Sequence, residues 1–269
     1  MALVTRCLNE CCHAAQMSGV SRRESLGFGA LASMTNNQDD SNNPAKAAYD
    51  AAKQFAREGK FAEALERHEW FHHHALEHHP AYYGVRLSFA LGAWKELGEK
   101  YPPAFESLRG VRDQGVARLR AGGASDEVFH DVVSINHTLG DDAASVRLFH
   151  EVEASDPASA KRRFRCFKEV VLEHAPDVFL RHTPDLATYL QEQWRFHSEL
   201  KESRARLPRM DSRMTEALSR AAERQEEQFY GLCNRLIELA TTAGRPEQAA
   251  AMEQLVRQWK SPESADSEA

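Results

Sequence analysis

The chain has 269 residues, 28% of them charged, and a formal net charge of −6 with both signs interspersed. That balance argues against bulk attraction to nucleic acid or to an anionic membrane, and no run reaches the ~18 apolar residues that a membrane span needs. Val, Ile and Thr are sparse beside Ala, Leu, Glu and Arg, and no run alternates apolar with polar residues, so the expected fold class is all-α.

Residues 1–43 lack sustained periodicity and close on a polar, turn-rich string, the pattern of a disordered leader. Within them Ser21-Arg22-Arg23-Glu24-Ser25-Leu26 looks like a twin-arginine export signal and Ala30-Leu31-Ala32 like a cleavage site. The apolar stretch between, Gly27 to Leu31, is shorter than the ~7–15 residues such signals use, which argues against export. Met17 and Met34 are alternative starts, and Met34 opens directly onto the lead-in to the first helix. Cys7, Cys11, Cys12 and His13 would suit half a metal knuckle, but no second half follows. An odd cysteine count without a regular framework implies reduced thiols and a cytoplasmic location, with Cys166 and Cys233 as core residues.

The first helix is expected over Pro44–Glu58, with Tyr49, Ala52, Phe55 and Ala56 as its apolar stripe and Gly59 as its stop. The second begins near Phe61 and ends before Pro80. At 100° per residue it sets Phe61, Ala64, Leu65, His68, Phe71, His72 and Ala75 on one face and Trp70 on the other. A third runs from Tyr82 to Leu97 with Gly98 as its stop, and Pro102-Pro103 opens a fourth that reaches Arg120. After Gly122-Gly123, Ser125 is the expected N-cap of a fifth, which ends at Gly140. The sixth stops at Asp156-Pro157, and a seventh runs from Ala158 to about His174. The eighth follows Thr183-Pro184, with Thr as cap and Pro in the first turn. Leu207-Pro208 breaks the chain, a long helix spans Asp211 to about Thr242, and Pro246–Trp259 closes the set. Residues 44–260 thus read as about ten helices in five antiparallel hairpins, and 261–269 as a disordered acidic tail.

A glycine five residues before a small residue recurs as Gly59/Ala64, Gly140/Ser145 and Gly244/Ala249, and Gly98/Ala104 repeats it with one insertion. After Gly140, Phe149 and Pro157 fall at the aromatic and closing-proline positions of a helical repeat. This pattern resembles a degenerate tetratricopeptide-repeat (TPR) array, which implies a TPR-like α-solenoid of stacked hairpins. His68 stands where the family has its aromatic, and the pair over Ala158–Glu202 lacks the glycine turn.

In RHEWFHHHALEHHP, His68/His72 and His74/His78 are i,i+4 pairs, a spacing that lets two imidazoles share a metal ion. The pairs diverge on the wheel, so a buried, hydrogen-bonded His68 beside solvated His73, His78 and His79 is expected, with His74 and His78 as the metal-binding alternative. Around the basic run Lys161–Lys168, Phe164, Phe167 and the following Val171 form a buried stripe at helical spacing and the charges a wet face, which argues against nucleic-acid stacking. There is no phosphate-binding glycine loop, no GxSxG and no paired carboxylate constellation, so neither an enzyme nor a cofactor is expected.

The resemblance implies that the first helix of each hairpin lines a groove for an extended peptide. Carried over by position, that groove holds Lys46, Tyr49, Lys53, Ser88, Lys95, His130, Ser134, His137, Arg162, Arg163, Asn234 and Arg235. The set is more basic than the whole chain, so the implied partner is a protein or peptide bearing carboxylates. The expected function is a non-catalytic interaction scaffold, with a metal-binding or enzymatic helical protein, or a structural homo-oligomer, as alternatives.

Overall fold

A computed structural model describes residues 43–206 and 212–260, and every regular element among them is helical. The leader with its cysteines and twin-arginine-like string, the break at Leu207-Pro208 and the acidic tail lie outside the described residues. No helix among the described residues is long and apolar enough to cross a membrane. The chain divides into two compact units, with the boundary between Ala175 and Pro176.

The first unit contains α1 (Pro44–Arg57), α2 (Phe61–His78), α3 (Tyr82–Leu87), α4 (Phe89–Lys100), α5 (Pro102–Arg120), α6 (Asp126–Leu139), α7 (Asp142–Ser155), α8 (Pro157–Arg163) and α9 (Lys168–His174), with a 3-10 turn at Phe164–Cys166. Helix α1 starts where expected: Asn43 Oδ1 accepts the Ala45 amide at 2.9 Å, and Pro44 occupies a position whose amide has no helical partner. It ends at Gly59, whose φ of 76° suits a residue without Cβ. The Lys60 amide then reaches back to Phe55 O at 2.9 Å. The same closure recurs past Gly140, from the Asp141 amide to Asn136 O at 2.8 Å, and past Gly244, from the Arg245 amide to Ala240 O at 2.8 Å. Each turn delivers its small residue into a helix crossing, and Ala64, Ser145 and Ala249 are all buried.

Two of the expected helices are broken. Ser88 interrupts the third because its hydroxyl donates to Gly84 O at 2.7 Å, the acceptor its own amide would use in a continuous helix. The Ser88 amide turns instead to Val85 O at 3.4 Å, and α4 starts afresh at Phe89. Gly98 is not a stop. Helix α4 runs on to Lys100, and a Cβ at Gly98 would sit 2.7 Å from the ring of Phe105, so the glycine serves a close approach to α5. The seventh helix is also interrupted, by the 3-10 turn, and there Phe164 and Phe167 both reach the ring of Phe149, at 6.2 and 4.9 Å between centroids. The stripe of Phe164, Phe167 and Val171 is buried as the sequence pattern requires, and the Cys166 side chain is buried beside it.

The second unit contains α10 (Pro176–His182), α11 (Leu186–Ala205), α12 (Ser212–Thr242) and α13 (Pro246–Lys260). Asp185, not Thr183, caps α11: its carboxylate accepts the Thr188 amide at 2.9 Å, and Pro184 stays outside the helix. The Pro184 carbonyl accepts from Gln248 Nε2 at 3.0 Å and Arg245 Nη1 at 3.2 Å, fixing the loop before α11 to α13. Trp194 lies flat on Trp259, 4.6 Å apart and 7° from parallel, with Phe229 against both. Cys233 is buried in this unit.

Candidate functional site

The direction of three helices in the first unit follows from what their ends bury. The start of α1 (Ala45, Ala48) packs with Phe71 and Ala75 from the second half of α2 and with Ala90 at the head of α4. Its end (Phe55, Ala56) packs around Ala64 from the start of α2 and Leu97 from the end of α4. Helices α1 and α4 therefore run side by side in the same direction over an antiparallel α2. Between them lies a cleft of about 270 Å³, lined by Lys53, Ala56 and Arg57 from α1, His68 from α2, and Ala93, Glu96, Leu97 and Lys100 from α4.

Three cations face one carboxylate in this cleft. Lys53 Nζ sits 3.0 Å from Asp50 Oδ1 and 4.1 Å from the centre of the Tyr49 ring, and Lys46 holds the other oxygen of Asp50 at 2.8 Å. Burial pushes the Asp50 carboxyl up, but the hydrogen bonds from Lys46 and Lys53 outweigh it, so the group titrates below its ordinary range. Burial, then the charges of Asp50 and Glu96, raise the Tyr49 phenol. Arg57 Nε donates to Lys53 O at 3.2 Å, which orders the guanidinium at the end of α1.

The floor of the cleft is different. His68 is 2% exposed and lies on the Trp94 indole, 5.9 Å away and 18° from parallel. Burial lowers its pKa to about 4, so at neutral pH it is an uncharged imidazole able to donate one hydrogen bond and accept another. Trp94 is anchored in turn, its Nε1 donating to Ala104 O at 3.0 Å.

Next to this floor, behind the Ser88 break, a buried polar cluster joins α2, α3 and α6. Arg86 donates two hydrogen bonds to Asp131, Nη2 to Oδ1 at 2.5 Å and Nη1 to Oδ2 at 3.1 Å. Its Nη1 also lies 3.4 Å from His72 Nε2, and burial first, then the Arg86 charge, lowers the His72 pKa to about 3. Among the described residues, His72 Nδ1 and Arg86 Nε are buried with no hydrogen-bond partner. Tyr83 Oη and His130 Nδ1 close the cluster at 2.8 Å.

The sequence-derived set is distributed as follows. Lys46, Tyr49 and Lys53 share one side of α1, Ser88 forms the break, and Lys95 is half-buried on α4. His130 and Ser134 are buried in α6, while His137 is half-buried and bonded to Asp142 at 3.1 Å. Arg162 and Arg163 converge on one carboxylate, Asp126, at 2.9 and 3.0 Å, and Arg163 also donates to Ala124 O at 2.7 Å. Arg163 is 7% exposed, so the basic string is not a uniformly wet face; this guanidinium is a clamp between α8 and the head of α6. Asn234 and Arg235 are exposed on α12 of the second unit. In the histidine-rich helix, His74 and His78 both stack on Trp70, at 5.3 and 5.4 Å, and His74 Nδ1 bonds Glu77 at 3.2 Å. No group of three metal-ligating side chains converges among the described residues.

Sequence reasoning left Arg57, Glu96 and Lys100 out of the binding set. Lys100 was hidden because Gly98 read as a helix stop; with α4 continued, Lys100 falls on the stripe of Ala93 and Glu96. No protein-family model, no curated protein and no solved structure matches this chain.

Proposed function

We propose that this chain is a non-catalytic, cytoplasmic interaction scaffold, a TPR-like stack of helical hairpins whose α1–α4 cleft receives a carboxylate-bearing segment of a partner protein. The observation that carries the reading is the convergence of Lys53, Arg57 and Lys100 on one cleft, where Glu96 is the carboxylate in the lining and Asp50, beside it, is shared between Lys46 and Lys53. A guanidinium ordered by its own helix end can pair a carboxylate in two-pronged fashion, while the lysines act as point charges on either side. The neutral His68 below adds a donor and an acceptor without opposing either sign of charge. Tightly packed small residues at the helix crossings support the repeat reading, since they let successive hairpins approach closely.

The test is fluorescence anisotropy of a labelled Asp/Glu-rich decapeptide against the full chain, compared with the Lys53→Glu/Lys100→Glu variant. Rim charges contribute roughly 1 kcal/mol each, so the double reversal is expected to weaken binding at least tenfold, and binding is expected to fall with rising salt. Equal affinity for both proteins, or no binding to either, refutes the assignment.

A further inference from the structure

His68 is 2% exposed, lines the cleft between α1 and α4, and makes no hydrogen bond among the described residues. Unlike His72 Nδ1, neither of its ring nitrogens is fully enclosed, so the edge of an uncharged imidazole is open to whatever enters the cleft. The Trp94 indole, 5.9 Å away and nearly parallel, fixes the ring in that pose. A polar edge at this depth calls for a hydrogen-bonding partner.

The charges around that edge set the class of the partner. Lys53, Arg57 and Lys100 carry three positive charges against the one negative charge of Glu96, which leaves the lining at +2. Lys46 and Asp50, beside the cleft, cancel one another and do not change that figure. Arg57 and Lys100 are exposed and neither is ion-paired among the described residues. A carboxylate would neutralise half of the excess, whereas a phosphate monoester, at about −1.5 to −2 near neutral pH, neutralises most or all of it. Its three terminal oxygens also point in three directions, towards a guanidinium fork, two ammonium groups and an imidazole donor, where a carboxylate presents two oxygens in one plane.

We propose that the cleft is a phosphoryl-binding site in which Arg57, Lys53 and Lys100 hold the dianion of a phosphate monoester over the open edge of His68. The proposal rests on the acidic-ligand reading of the same cleft and names the acid. Glu96 then has a defined effect: its carboxylate opposes a dianion, so removing its charge tightens binding. For a zwitterion, whose ammonium Glu96 would pair, the sign is reversed.

The experiment is calorimetry on the full chain with two decapeptides identical except at one central position, phosphoserine in one and glutamate in the other, and with glycerol phosphate as a soluble ester. The phosphoserine peptide is expected to bind about tenfold more tightly than the glutamate peptide and more tightly than glycerol phosphate. Arg57→Gln/Lys100→Gln, which alters two exposed side chains, is expected to remove the preference for phosphoserine. Glu96→Gln is expected to tighten phosphopeptide binding about threefold. If the two peptides bind equally to the unsubstituted chain, the phosphoryl assignment falls and the acidic one stands. If glycerol phosphate binds as tightly as the phosphopeptide or more so, the phosphoryl site stands and the partner-segment reading falls. If none of the three binds, both fall. A preference that survives Arg57→Gln/Lys100→Gln places the phosphoryl group elsewhere, and weaker binding in Glu96→Gln reassigns the cleft to a zwitterion; either result overturns the proposal.

Discussion

Replacing Asp131 by Leu should be among the most damaging single changes in the first unit. Arg86 is 5% exposed and its two terminal nitrogens are both committed to Asp131. Without the carboxylate, the guanidinium keeps its charge in a site whose remaining near neighbours are the neutral His72 ring and the His72 carbonyl, each 3.4 Å away. An uncompensated buried charge costs about 3–5 kcal/mol; Asp131 is 24% exposed, and water admitted there lowers the figure to about 3 kcal/mol. With a urea dependence of about 2 kcal/mol/M, the unfolding midpoint moves down by roughly 1.5 M. The double variant Arg86→Leu/Asp131→Leu removes both charges and should lie within about 1 kcal/mol of the parent, because paired burial largely cancels its own desolvation. The assay is urea unfolding followed by circular dichroism across the parent, the two single variants and the double. A loss below about 1 kcal/mol for Asp131→Leu, or additive losses in the double variant, would refute this account of the cluster.

Other substitutions test the local arguments. Gly98→Ala should destabilise by about 1–2 kcal/mol in thermal melts because its Cβ meets the Phe105 ring, whereas Gly231→Ala, on an open face of α12, should stabilise by about 0.5–1 kcal/mol. Asp185→Ala should cost about 1 kcal/mol, while Ser125→Ala should change little, since the Ser125 side chain makes no capping bond. The hydrogen bond to Asp142, opposed by burial, raises the His137 pKa above 6.5. A raised imidazole stabilises fully below pH 6.5 and less as pH climbs through the folded value, so the melting-temperature gap between the parent and His137→Gln should be wider at pH 5.5 than at pH 8.5. An equal gap at both values would sink that assignment.

The features legible in the sequence were those that depend on residues close together along the chain. Gly59, Gly140 and Gly244 announce their turns because a positive φ is a local demand, and Ala64, Ser145 and Ala249 follow at a fixed offset. The Ser88 break was hidden because serine is compatible with a helix until its hydroxyl takes the Gly84 carbonyl. Gly98 misled because a glycine near a helix end satisfies two descriptions, and only the approach of Phe105 distinguishes them. Thr183 and Asp185 both suit a cap, and the bond to the Thr188 amide decides for the acid. The cleft depends on packing between helices: Arg57 and Lys100 are 43 positions apart and meet only because α1 and α4 run in parallel. The commitment of Arg162 and Arg163 to Asp126 spans 36 and 37 positions, which no pattern within the basic string reveals.

The interruption at Ser88 divides labour along a stretch that would otherwise be one rod. Before it, Tyr83 and Arg86 serve the interior; after it, Phe89, Ala93 and Glu96 face outward. Substitutions on the outward stripe need not propagate into the buried ion pair, because the two segments share no continuous ladder of amide bonds. A lineage could therefore exchange the outward residues and acquire new preferences while its interior stayed fixed, and variation among descendants of this chain should accumulate on that stripe before it reaches Arg86 or Asp131.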